Sequence, residues 1–99
     1  MEGQSTTTER VRYRFLGHVQ HRGFRYGCVM VAQKVGATGW VRNERDGTVT
    51  AEVQGSPEVQ LEFVKRLSSL VPGYGDDWSI GTELPREVDE AETAFGVRR

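Results

Sequence analysis

Three observations set the fold class: an alternating stretch beginning at Arg10, two segments with apolar residues at helical spacing, and the turn pair Asp46-Gly47 between two extended runs. They order the elements as strand, helix, strand, strand, helix, strand. That order predicts an α+β fold of the ferredoxin-like, split βαβ type, a sandwich of an antiparallel sheet with two helices packed on one face.

The first strand runs from Arg10 to about Leu16, with Val11, Tyr13 and Phe15 on one side and Arg10, Arg12 and Arg14 on the other. Phe24, Cys28, Val31, Ala32 and Val35 then recur at helical spacing, and Gly36 follows as a left-handed C-cap. Strands over 38–43 and 48–54 flank Asp46-Gly47, a pair that tolerates positive φ and so predicts an antiparallel hairpin. Ser56 is placed to cap the second helix and Pro57 suits its first position; Val59, Phe63, Leu67 and Leu70 form its apolar stripe. That helix ends before Pro72-Gly73. A fourth strand is expected over 77–83 and a short last one over 93–98, separated by an acidic loop with Glu87, Asp89, Glu90 and Glu92.

The 99 residues suffice for one core without a metal or disulfide staple. Residues 1–9 are polar and expected to be disordered, leaving one domain over 10–99. A formal net charge of -1 gives no general attraction to nucleic acid or anionic membrane, so anion binding must come from local placement of charge. The lone Cys28 cannot form an intrachain disulfide and falls on the apolar helix stripe, which makes it a core residue and fits a cytoplasmic protein. No secretory signal and no membrane-spanning run is read in the chain. A monomer is expected.

Two local motifs carry the chemistry. The first, Gly17-His18-Val19-Gln20-His21-Arg22-Gly23-Phe24-Arg25, ends a strand and opens a helix; the second is Gly39-Trp40-Val41-Arg42-Asn43. Together they suggest a backbone cradle for phosphate, a guanidinium to hold the anion and an amide to hold water. No Cys, His and carboxylate cluster has metal-ligand spacing, so neither metal nor cofactor is expected.

These residues resemble the acylphosphatase family over roughly 10–99. The family pattern Gly-x-Val-Gln-Gly-Val-x-Phe-Arg matches at Gly17, Val19, Gln20, Phe24 and Arg25, and Gly-Trp-Val-x-Asn matches at Gly39, Trp40, Val41 and Asn43. Asp46-Gly47-Thr48-Val49, Gln54-Gly55 and the closing Phe95-Gly96-Val97-Arg98-Arg99 are similar to the family's hairpin, third-strand end and last strand. The resemblance implies metal-independent hydrolysis of the carboxyl-phosphate bond of a small acyl phosphate, with inorganic phosphate as product and inhibitor. Phosphate would be bound by Gly17, His18, Val19, Gln20, His21, Arg22 and Gly23 through their backbone and by Arg25 through its fork of donors. Asn43 would orient the attacking water. A shallow site that grips mainly the phosphate is expected to accept several acyl groups.

His21 and Arg22 depart from the pattern, standing where the family has Gly and Val. If position 21 needs positive φ, His there costs on the order of 1 kcal/mol. Both side chains are read as pointing into solvent. Arg10, Arg12 and Arg14 are read as a solvated stripe on the open sheet face. They leave a nucleic-acid-binding module as one alternative, weakened because Tyr13 and Phe15 face the helices, and no nucleic-acid partner is expected. A non-catalytic anion-binding or regulatory domain is another.

Overall fold

The computed structural model describes residues 7–99; residues 1–6, most of the segment expected to be disordered, lie outside the described residues. The elements are β1 (Glu9–Gly17), α1 (Arg22–Val35), β2 (Thr38–Asn43), β3 (Val49–Gly55), α2 (Pro57–Leu70), β4 (Trp78–Arg86) and β5 (Phe95–Val97). The strand order is β4-β1-β3-β2-β5. Both helices cover one face, where the predicted ferredoxin-like sandwich puts them. No helix among the described residues is long and apolar enough to cross a membrane.

Alternation in β1 sends Val11, Tyr13 and Phe15 under the helices, opposite Val53, Ala51 and Val49 of β3. Phe15, Phe24 and Trp78 meet edge to face, with Phe24 centred 5.1 Å from Phe15 and 5.0 Å from Trp78, so the first turn of α1 is pinned onto the sheet. The left-handed Gly36 (φ 81°) ends α1 by donating back to Ala32 and Gln33. Ser56 caps α2 by accepting from the Val59 amide at 3.2 Å, with Pro57 in the first turn. Phe63 and Leu67 are buried, but Leu70, expected on the same stripe, is half exposed at the end of α2.

Two expectations are corrected. The sheet is mixed, since β5 joins the edge beside β2 in parallel. This follows from β4 and β5 occupying opposite edges: the segment 87–94 must cross the sheet to reach the start of β5. The hairpin itself forms about the expected turn; Glu44 and Thr48 close it, and Gly47 supplies the positive φ of 93°. Second, the arginines of β1 are not a uniformly solvated stripe. Arg10 is 6% exposed, because the crossing segment lies over it, and it pairs with Glu52 at 2.6 Å and Glu92 at 2.8 Å. Arg12 binds the other oxygen of Glu52. Burial alone would raise the Glu52 pKa, but the hydrogen bonds from Arg10 and Arg12 outweigh it and hold the carboxyl below its ordinary value.

Candidate active site at the strand ends beside the first turn of α1

β1, β2 and β5 run one way and β3 and β4 the other, so the C-terminal ends of β1, β2 and β5 gather at one end of the sheet. The N-terminus of α1 returns to that same end, because only residues 18–21 separate it from β1. The site is built there. Its amide dipoles present a positive end, and no acidic residue occupies the first turn to neutralise it.

Gly17 makes the entry to the loop. Its φ is 96°, and a Cβ at this position would lie 2.2 Å from the Asp77 carbonyl oxygen, so only glycine lets the chain pass beneath the start of β4. The His18 amide then donates to Asp77 O at 2.7 Å and the Val19 amide to Gly17 O at 2.9 Å. The Val19 side chain is fully buried and nails the loop to the core. Of the cradle positions read from the sequence, His18 and Val19 therefore have their amides engaged within the protein. Those of Gln20, His21, Arg22 and Gly23 have no protein acceptor among the described residues. Four consecutive donors at a helix start form a ready anion nest.

Two side chains have structural roles that the sequence reading did not assign. The Gln20 amide group donates to the carbonyls of Glu44 at 2.5 Å and Thr48 at 2.9 Å, tying the loop to the hairpin that follows Asn43. His21 is the N-cap of α1, with φ -134° and ψ 157°, and its Nδ1 accepts from the Phe24 amide at 3.2 Å. The backbone there is extended, so the anticipated positive-φ strain does not arise, and the imidazole is partly buried over the helix start instead of solvated. Neither role has a signal in residue type alone. Gln20 acts through a contact across the fold, and His is a weaker capping signal than Ser, Thr, Asp or Asn.

Arg25 and Asn43 are brought to the same end and face. Arg25 is in the first turn of α1; Asn43 is the last residue of β2, on the helix side because it is two positions beyond the buried Val41. The Arg25 Nε and the Asn43 Oδ1 are both buried without a hydrogen-bond partner among the described residues. Buried polar atoms are nearly always paired, so two orphans on the two motif-placed residues point to a site shaped for something else to bind. One is a charged donor suited to an anion and the other an acceptor suited to a water O–H.

Other groups fit less well as reacting atoms. Cys28 is fully buried and its thiol is pushed well up in pKa by desolvation, so it stays protonated and enclosed. The His18 and His21 rings sit 5.2 Å apart between centroids. No group of three or more His, Cys, Asp or Glu able to hold a metal ion occurs among the described residues.

Comparison with known proteins bears on this arrangement. A family model described as Acylphosphatase matches residues 11–80, which include both motifs. The chain is 38% identical over 96 residues to an acylphosphatase of Bifidobacterium longum, covering 97% of this chain and 98% of that protein. It is 37% identical over 81 residues to one from Bacillus licheniformis, covering 80% and 89% of the two chains. Among solved structures it is similar to the crystal structure of acylphosphatase from Bacillus subtilis, with a TM-score of 0.76 and 26% identity over 92% of this chain and 99% of that one.

Proposed function

The chain belongs to the acylphosphatase family, and from that premise we propose that it cleaves acyl phosphates to a carboxylate and inorganic phosphate by direct, metal-independent attack of water. The phosphoryl oxygens rest in the nest of amides from Gln20 to Gly23, at the positive end of α1. Arg25 donates to them from the side. Asn43 accepts from the water and aims it at phosphorus. The new P–O bond forms to this water as the bond to the acyl oxygen breaks, the carboxylate departs with the electron pair, and the water's proton passes to an oxygen of the substrate. Phosphoryl transfer through a loose transition state depends on positioning and on charge stabilisation, so no protein nucleophile is needed.

The single observation that carries this reading is the pair of orphaned buried atoms, Arg25 Nε and Asn43 Oδ1, beside four uncommitted amides. The alternative of a nucleic-acid module is disfavoured by the open face. Trp40 is only 6% exposed there, closed in by the guanidinium groups of Arg98 at 4.5 Å and Arg42 at 4.8 Å from its ring, so the ring is not free to stack on a base. A cytoplasmic monomer acting on a small molecule completes the proposal, in keeping with one buried, unpaired thiol.

Hydrolysis of benzoyl phosphate, followed with and without EDTA, tests it. We expect turnover that chelation leaves intact, competitive inhibition by inorganic phosphate, and loss of about 10²- to 10³-fold in turnover for Arg25→Ala, the scale seen when a transition-state donor is removed. Wild-type turnover in Arg25→Ala would refute the site assignment. Activity abolished by EDTA and restored by a divalent ion would replace the mechanism. Phosphate binding without turnover would return the non-catalytic alternative.

A further inference from the structure

The surface beside Arg25 dips into a groove of about 320 Å³ between α1 and β5, lined by Arg22, Arg25, Tyr26, Val29, Val97 and Arg99. Its α1 wall is one helical stripe, since positions 22, 25, 26 and 29 follow the spacing of a single face. Tyr26, Val29 and Val97 make the groove apolar along its length. Arg22 and Arg99 add two guanidinium groups to that of Arg25, and no acidic side chain among the described residues lines the groove. No carboxylate among the described residues forms an ion pair with either Arg22 or Arg99, whereas Arg10, Arg12, Arg14, Arg42, Arg66 and Arg86 all have one. Three like charges around one groove repel one another, and that repulsion is relieved by a ligand with more than one anionic group.

We propose that this groove receives the acyl part of the substrate and favours acyl phosphates whose acyl group carries a second negatively charged group, met by Arg22 and Arg99. The inference rests on the reading that Arg25 grips the phosphoryl group. With the phosphate fixed at Arg25, the acyl portion leaves along the apolar wall, and a distal anion at its far end falls among the two remaining arginines. The site is thereby more selective than one that grips phosphate alone. Arg22 and Arg99 are specificity-determining residues: they touch the part of the substrate that does not react.

Benzoyl phosphate and 4-carboxybenzoyl phosphate, which share one leaving-group framework and differ by a distal carboxylate, form the test pair. The quantity read is the ratio of their kcat/KM values in the wild type, in Arg22→Gln, in Arg99→Gln and in the double variant, at low and at high salt. Because a ratio is read, any general effect of Arg22→Gln on the cradle cancels. We expect the wild type to favour the carboxylated substrate and the double variant to lose about 3- to 10-fold of that preference, as suits two partly solvated ion pairs. High salt should erase most of the wild-type preference by screening. Benzoyl phosphate turnover with a ratio unchanged in the double variant would overturn the groove assignment and leave the catalytic reading standing. Hydrolysis of neither substrate by the wild type would overturn the catalytic reading, and this proposal with it.

Discussion

Replacing Asn43 with Ala separates a functional from a structural role. The Asn43 Oδ1 is buried and has no partner among the described residues, so the substitution removes no hydrogen bond to them at that atom. An unsatisfied buried acceptor costs about 1–3 kcal/mol, and its deletion returns some of this. Against that stands the packing lost from one small, partly exposed side chain, of order 1 kcal/mol. The two terms nearly cancel. We therefore expect Asn43→Ala to unfold within about 1 kcal/mol of the wild type, on either side. Catalysis should respond very differently, because a misplaced nucleophile costs roughly 10²-fold. Inorganic phosphate should still inhibit with a constant within about threefold of the wild type, since the anion's partners are untouched. Urea unfolding followed by Trp fluorescence and steady-state kinetics on benzoyl phosphate give the three numbers. A fall in stability beyond about 2 kcal/mol would mean that Asn43 holds the strand end in place. Wild-type turnover would mean that it does not orient the water.

Further expectations follow from the loop and the hairpin. Gly17→Ala should destabilise by about 2–4 kcal/mol, combining the left-handed backbone with a clash against Asp77 O, and a wild-type urea midpoint would contradict the close approach. His21→Ala should lower stability by roughly 0.5–1 kcal/mol through loss of the cap, and a gain on urea unfolding would revive the strain that the extended backbone argues against. Asp46 is held down to a pKa of about 2, chiefly by the Thr48 hydroxyl and amide and then by Arg14. Its native pKa lies below the unfolded value of about 3.9, so its stabilisation is complete above that pH and is lost as pH falls towards 2. Asp46→Asn should accordingly lose less stability than the wild type between pH 5 and pH 2, and superimposable pH profiles would count against the hairpin contacts.

Local periodicity made most of the fold legible. Tyr13 and Phe15 announce a strand by alternation, and Phe24, Cys28 and Val31 announce a helix, because each pattern is set by neighbours in sequence. What escaped depends on distant chain segments. The burial of Arg10 requires knowing that Glu92 arrives over the open face, and the parallel pairing of β5 requires knowing that β4 took the opposite edge. The site divides in the same way. Arg25 and Asn43 are marked by their motifs, and the structure gives each a buried atom without a partner among the described residues. The capping role of His21 depends on a backbone angle that residue type does not dictate. The bridge from Gln20 to Glu44 and Thr48 exists only once the hairpin stands beside the loop.

The position of β1 within the sheet has a consequence in time. Its neighbours come from far along the chain: Tyr13 is opposite Ala51 on one side and Glu83 on the other. Long loops must close before either ladder rewards the closure, and proteins dominated by such pairings fold slowly for their size. The Gln20 bridge spans 24 and 28 positions and sits on top of those ladders, so the cradle is a late product of assembly. In refolding, helical signal should return early, while catalytic turnover appears with the last-closing strand pair.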